Sequence, residues 1–306
     1  MRSWRAAATF ILVGFGAASA MAAEFDGTTL VVGRVSDDPK RAFPRVEMFA
    51  NHLSDGLKEL GFERGTAFIA ADNREMLQAL RDGVVDVVSE SLFSAMRLVA
   101  GGNAEVLLLE EKRGAFIYHS VFFSRKDGPV QRIADLKGRK IGFEDPGSTS
   151  GYRLPRALLE AEGLELTPLA SVDEAVPSDK VGYVLLFREI NIATAVAHRI
   201  IDAGVVNDSD WNNRKRIPDR MREQLSLFHI SESFPRSLLL VRAGLKPEIK
   251  ERIRDILLAG SSDSAASEVF RSYYSVGGYE PLDAKVASQL RDIEQYAVVH
   301  SDAAAP

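Results

Sequence analysis

The sequence predicts an α/β protein of two lobes, each a doubly wound, mostly parallel sheet with flanking helices. Two observations carry this prediction. From Thr28 onward, short β-branched runs alternate with longer amphipathic segments, and the alternation restarts after about residue 135. The 306 residues are also enough for two hydrophobic cores.

The first lobe is predicted to begin with strands at 30–35, 66–70 and 84–88. Between the first two strands, apolar residues spaced four, four and three apart form one helical stripe that ends at Gly61. These residues are Phe49, Leu53, Leu57 and Leu60. Asp72 with Glu75 three residues later is a capping-box-like start for the next helix. A helix from about Leu92 and an apolar run at 106–109 complete a βαβαβαβ set.

The second lobe is predicted to restart at a strand over 140–143, after the turn Asp135-Leu136-Lys137-Gly138. Its later elements are a strand at 181–187, a helix at 191–199 and a strand at 200–206. Runs at 225–230 and 237–242 are expected to be followed only by helices that return to the first lobe. The predicted divisions are 24–116 and 229–300 for lobe one, 117–228 for lobe two, and 301–306 for a disordered tail.

The N-terminus is typical of a secretory signal peptide over residues 1–23. Arg2 and Arg5 precede an apolar run at 6–18, and small residues suited to cleavage between Ala20 and Ala23 follow. The alternative is a retained membrane anchor, but the run is shorter than the roughly 20 residues that span a bilayer. The mature protein is therefore expected in the periplasm.

Composition narrows the class of partner. The chain has no cysteine, which excludes disulfides and a lipid-modified cysteine as a membrane tether. Its formal charge is −5, and loss of Arg2 and Arg5 with the signal peptide makes the mature chain more acidic. An acidic protein without a basic run is not expected to bind nucleic acid.

Three consecutive hydroxyl residues, Ser148, Thr149 and Ser150, lie between the strand at 140–143 and the helix bearing Leu154. The first backbone N–H groups of a helix lack internal partners and carry partial positive charge, so with hydroxyl donors they can bind an anion. The alternative is that one serine only caps the helix. Pro155 removes one helical N–H and predicts a kink or a short first turn.

In combination, five motifs resemble those of the phosphonate-binding members of the type II periplasmic binding proteins, which serve phosphate, phosphite or phosphonate transporters. The motifs are Tyr118-His119-Ser120, Asp135-Leu136-Lys137-Gly138-Arg139-Lys140, Asp145-Pro146-Gly147-Ser148-Thr149-Ser150-Gly151-Tyr152, Ile201-Asp202-Ala203-Gly204 and Phe234-Pro235-Arg236. The resemblance implies two α/β lobes with the ligand in the cleft. It also implies that Ser148, Thr149 and Ser150 bind phosphoryl oxygens.

The resemblance places Tyr118 near the first crossover between the lobes, where it would donate a hydrogen bond, wall the cleft, or serve only in the core. The chain departs from the family pattern after strand three, where Ser89-Glu90-Ser91-Leu92 replaces the usual Gly-Pro and aromatic residue. It departs again at Glu189, which stands at the position of a cleft histidine.

By this alignment Glu90, Glu189 and Asp202 lie close to the cleft. Carboxylates beside a phosphate site are unfavourable unless they meet a cation or share protons. An amine-bearing ligand, or pairing with Arg188, would reconcile them. The alternative for each is a solvated loop acid.

No enzyme is predicted. The five histidines form no ligand-spaced cluster, and no nucleophile, phosphate-loop or zinc motif appears, so no catalytic residue, metal or cofactor is assigned. The resemblance implies a monomer that delivers a small phosphorus oxyanion to an ABC permease. The alternatives are a binding protein that reports its ligand to a membrane receptor or kinase, and a variant cleft for another small anion.

Overall fold

Both predicted sheets are present in the computed structural model, which describes residues 27–299, with side chains described through residue 293. The predicted signal peptide at 1–23 and the predicted tail at 301–306 lie outside the described residues. Among the helices described, none combines the length and apolar character needed to cross a membrane.

The strands are β1 Thr29–Val35, β2 Arg64–Ala70, β3 Val87–Ser91, β4 Ala104–Lys112, β5 Ile117–Tyr118, β6 Ser120–Arg125, β7 Lys140–Phe143, β8 Leu166–Pro168, β9 Val181–Leu185, β10 Ala203–Asn207, β11 Leu225–Ile230, β12 Phe234–Pro235, β13 Ser237–Arg242 and β14 Val276–Glu280. The α-helices are α1 Pro39–Asp55, α2 Asn73–Arg81, α3 Leu92–Ala100, α4 Leu154–Ala161, α5 Glu189–Ala197, α6 Asp208–Asn212, α7 Asp219–Arg222, α8 Pro247–Gly260, α9 Ser264–Ser272 and α10 Ala284–Val299.

The chain divides into two compact units. Within the described residues, unit 1 comprises 27–90, 101–108 and 239–279, and unit 2 comprises 91–100, 109–238 and 280–299. The lobe boundaries predicted from the sequence, after residues 116 and 228, stay a prediction.

Unit 1 is organised by a sheet in which β1 lies between β2 and β3 and pairs in parallel with both. Phe49, Leu53 and Leu57 of the predicted apolar stripe are buried in the core of this unit, and Phe49 stacks on Tyr273 with ring centroids 4.1 Å apart. The prediction is wrong at Leu60, which is exposed, because α1 ends at Asp55 and Leu60 lies in a separate 3₁₀ turn before Gly61. The predicted capping box is confirmed. Asp72 accepts from the N–H groups of Arg74 and Glu75, while the Glu75 carboxylate accepts from the Ala71 N–H at 2.7 Å.

Unit 2 is organised by a sheet of strand order β11-β6-β10-β7-β9-β8. The strand β7 is parallel to its neighbours β10 and β9, whereas β6 is antiparallel to both of its neighbours, β10 and β11. In open α/β sheets, ligands bind beyond the carboxyl ends of the strands. The segment that follows β7 therefore occupies the edge of the sheet at which a ligand is expected.

One prediction about the return segment is wrong. The run at 237–242 is not followed only by helices, because β14 continues the unit 1 sheet beside β4. Gly277 and Gly278 interrupt the five-residue strand, so its sequence shows little β-branched periodicity. Burial of Val276 and Tyr279, which depends on partners distant in sequence, holds the strand in place.

Candidate functional site

The three predicted hydroxyl residues lie on an irregular helix start directly after β7. A π-helical turn spans Thr149–Arg153 and leads into α4, where Pro155 occupies the first turn. Proline at the start of a helix costs no backbone hydrogen bond, because the first N–H groups have no internal acceptor. The irregularity that Pro155 predicted therefore takes the form of one wide turn, which presents the hydroxyls before the regular helix begins.

Ser148 is the N-cap of this turn. Its Oγ accepts from the Gly151 N–H at 3.0 Å and donates its single proton to Glu144 Oε2 at 2.5 Å. Ser148 therefore caps the helix, as one of the two interpretations of the sequence predicted. Its proton is committed to a carboxylate.

Thr149 and Ser150 are buried beside the hydroxyl of Tyr118, which is also buried. Burial raises the pKa of Tyr118 to about 12, against the opposing effect of hydrogen bonds to Ser150 and Thr149. The phenol therefore remains a proton donor at neutral pH. The Ser120 hydroxyl donates to the Ser150 carbonyl at 2.8 Å and fixes the turn from β6.

A half-buried cation, Arg236, packs against the Tyr118 ring of this hydroxyl cluster. The Arg236 guanidinium lies over the Tyr118 ring, 5.3 Å from its centroid, and donates to the Ser209 hydroxyl at 3.0 Å. Burial lowers the pKa of Arg236, while Tyr118 raises it. Sequence reasoning placed Arg236 in a family motif but gave it no role. The position of its charge depends on the pairing of β12 with β5.

Three carboxylates lie close together near Ser148, which contacts one of them, Glu144. One oxygen each from Glu144, Glu189 and Asp210 lie within 4.8 Å of one another. Acceptors at this spacing can hold a cation, and Arg216 supplies one. Arg216 donates to both oxygens of Glu189 at 3.0 and 3.1 Å and lies 3.6 Å from Asp210 Oδ1.

Sequence reasoning missed Asp210, Arg216 and Glu144 of this cluster, and Glu144 is the most deeply perturbed of them. Only 9% of its surface is exposed, and Oε1 is buried without a hydrogen-bond partner among the described residues. Burial raises its pKa to about 7; the charges of Glu189, Asp210 and Asp145 add to this increase, and the Ser148 hydrogen bond opposes it. Its position one residue after β7 was the available signal.

Glu144→Gln is expected to stabilise the protein more at pH 8 than at pH 5. The pKa of this carboxyl rises from 4.5 to about 7 on folding, so the unfolded chain ionises at lower pH than the folded protein. The free energy of unfolding therefore falls as the pH rises between those two values. Glutamine keeps the acceptor for Ser148 and removes this loss. Urea unfolding should show a difference in ΔΔG of about 1–3 kcal/mol between the two pH values, and equal effects would contradict the assignment.

The structure brings together most of the predicted site residues in unit 2 but not all seven. Ser148, Thr149, Ser150 and Tyr118 form the hydroxyl cluster, and Glu189 belongs to the adjoining carboxylates. The partner of Glu189 is Arg216, not Arg188 as considered from the sequence.

Asp202 lies at the opposite edge of the unit 2 sheet from the hydroxyl residues, and Glu90 is a residue of unit 1. Asp202 Oδ2 accepts from the Lys140 N–H at 2.9 Å, at the start of β7, whereas the hydroxyl residues follow the end of that strand. Glu90 belongs to unit 1, where Oε1 accepts from the Val35 N–H at 3.4 Å.

The two sheets with helices on their faces define the fold of a type II periplasmic binding protein. A family model described as the periplasmic phosphonate substrate-binding protein of ABC transporters matches residues 35–286. The chain therefore belongs to this family, as its sequence motifs predicted. Members are non-enzymatic periplasmic components of importers.

Individual relatives agree with this assignment. The phosphate-import protein PhnD of Mycolicibacterium smegmatis is 26% identical over 192 residues, which are 60% of this chain and 58% of that protein's length. The XAC2383 protein of Xanthomonas citri bound to ATP is 29% identical, with 90% of this chain and 98% of that chain covered and a TM-score of 0.78. PhnD1 of Prochlorococcus marinus in complex with methylphosphonate shares the fold at 16% identity, with 89% and 98% covered and a TM-score of 0.58.

Proposed function

We propose that this solute-binding protein captures a small phosphorus oxyanion through the hydroxyl cluster of Tyr118, Ser148, Thr149 and Ser150, and delivers it to an ABC permease. The observation that carries the proposal is the convergence of the Tyr118 hydroxyl on Thr149 and Ser150 at a helix start after β7. Export by cleavage of residues 1–23 and a monomeric state are parts of the same proposal.

The chemistry of the cluster favours a tetrahedral oxyanion. Hydroxyl donors and unpaired N–H groups are neutral, so they bind a compact anion without a salt bridge, and hydrogen bonds to charged acceptors are stronger than neutral ones. Arg236, stacked on Tyr118, adds a positive charge to the same side. A phosphoryl group offers several oxygens to such converging donors.

The carboxylates of Glu144, Glu189 and Asp210 would contact the part of the ligand beyond its phosphoryl group. Arg216 already pairs with Glu189 and Asp210, so the cluster does not by itself require an amine on the ligand. Ethylphosphonate and 2-aminoethylphosphonate differ only by that amine and form a matched pair of probes. The ATP complex of the Xanthomonas citri relative adds phosphate esters to the candidates.

A thermal-shift screen of the mature protein tests the proposal. The panel is phosphate, phosphite, methylphosphonate, the ethylphosphonate pair, ATP, sulfate and simple carboxylates. A ligand at one hundred times its Kd adds about 2.7 kcal/mol of stability, which corresponds to an increase in Tm of roughly 4–5 °C for a protein of this size.

Selective shifts with phosphorus compounds are expected, and preference for the amine-bearing member of the pair would assign the carboxylates to ligand recognition. A shift with carboxylates alone, or no shift with any compound, would reject the proposed ligand class.

A further inference from the structure

The Ser148 hydroxyl has one proton, and Glu144 Oε2 holds it, while a lone pair of Ser148 Oγ accepts from Gly151 N–H. A bound anion can receive a hydrogen bond from Ser148 only if that proton turns away from Glu144. Glu144 would then be a buried carboxylate with neither oxygen hydrogen-bonded, since Oε1 already lacks a partner. Such a loss leaves the desolvation of a buried charged group without compensation.

The surroundings of Glu144 make an ionised carboxylate beside an anion still less favourable. Glu189 from α5, Asp210 from α6 and Asp145 from its own loop all face it with negative charge, and Tyr118 faces it as a neutral phenol. Arg216 is committed to Glu189 and Asp210. With the described cation committed elsewhere, the negative charge of Glu144 beside a bound anion is neutralised by a proton.

Space for this carboxylate is provided by Gly151. A Cβ at residue 151 would lie 2.3 Å from Glu144 Oε2 and 2.4 Å from Cδ. The turn that carries the hydroxyls therefore accommodates the Glu144 carboxylate only because it has glycine there.

We propose that Glu144 determines which oxyanions bind, because one proton must lie between its carboxylate and the bound anion. The proposal rests on the proposed function of the hydroxyl cluster. Hydrogen phosphate and phosphonate monoanions carry a P–O–H group that donates to Glu144, so their binding takes up no proton from solvent. Sulfate and sulfonates carry no proton near neutral pH, and the proton must then come from water onto Glu144.

This difference predicts opposite pH behaviour for two anions of the same shape. Glu144 is ionised in the free protein once the pH exceeds about 7. Above that value, each pH unit should weaken sulfate binding by up to about tenfold, because binding takes up one proton. Hydrogen phosphate supplies its own proton, so its affinity should not fall in the same range.

Isothermal titration calorimetry with phosphate and sulfate at pH 6.5 and 8.5 tests the proposal. For the wild type, the ratio of phosphate to sulfate affinity should rise at least about tenfold between the two pH values. Glu144→Gln should lower that ratio at least about tenfold at pH 8.5 and remove its pH dependence, since an amide neither requires nor rejects the proton. Asp173→Asn, which removes an exposed carboxylate of the same unit that is not among the charges raising the Glu144 pKa, is the matched control and should retain the wild-type ratios.

The number of protons taken up, measured with the wild type in buffers of different ionisation enthalpy, provides a readout that needs no variant. Sulfate binding at pH 8.5 should take up nearly one proton and phosphate binding nearly none. Equal proton uptake for both anions, or an unchanged affinity ratio in a folded Glu144→Gln protein, overturns the role of Glu144. Absence of phosphorus-anion binding to the wild type would instead reject the proposed function.

Discussion

Replacement of Ser148, Thr149 and Ser150 together by alanine is expected to lower the affinity for phosphate or methylphosphonate at least about 1,000-fold. Each hydrogen bond to a charged group contributes about 1.5–3 kcal/mol, and about 1.4 kcal/mol corresponds to a tenfold change in Kd. Calorimetric titration of the wild type and the triple variant measures the loss directly.

The triple variant should remain folded. It loses the N-cap at Ser148, the Ser148 hydrogen bond to Glu144 and the contact between Thr149 Oγ1 and the Phe93 N–H, which together cost about 2–4 kcal/mol of stability. The Ser120 bond to the Ser150 carbonyl is kept, because it involves the backbone. Ser171→Ala with Ser178→Ala removes two exposed hydroxyls of the same unit and should leave affinity unchanged. A triple variant within tenfold of wild-type affinity would exclude these hydroxyls as the anion site.

Gly65→Ala is expected to destabilise unit 1 by at least about 3 kcal/mol, the largest stability effect of a single methyl group that we predict. A Cβ at this position of β2 would lie 2.1 Å from the Ala50 carbonyl carbon and 2.4 Å from the Asn51 nitrogen, both backbone atoms of α1. Helix and strand would have to separate, because no flexible side chain can move to relieve the contact.

Thermal and urea unfolding of Gly65→Ala measure this cost. Thr66→Ala changes the next residue of β2, which is only half-buried, and should cost less than about 1 kcal/mol. Similar effects for the two substitutions would show that α1 does not approach β2 as closely as the structure describes.

Local patterns were sufficient to predict much of the fold. The strand β7 falls at its predicted residues, and the Asp72–Glu75 capping box forms, because both depend on neighbours within a few positions. β14 could not be predicted in this way, since its two glycines leave no periodicity and its partner is β4.

The candidate site was predictable where the chain itself brings residues together. Ser148, Thr149 and Ser150 are consecutive, whereas the raised pKa of Glu144 depends first on its burial and then on the charges of α5 and α6, which tertiary folding brings close to it. Asp202 was placed near the ligand by the resemblance to the family, and the predicted strand at 200–206 contains it. The strand β10 instead begins at Ala203, so Asp202 lies at the edge of the sheet where β7 begins.

A crystal structure of the mature protein with methylphosphonate tests the central claim most directly. Phosphoryl oxygens should lie within hydrogen-bond distance of the hydroxyls of Thr149, Ser150 and Tyr118, with the Ser148 hydroxyl turned from Glu144 toward the ligand. Density for methylphosphonate at another position, with the Ser148–Glu144 hydrogen bond intact, would contradict the assignment of this cluster as the oxyanion site.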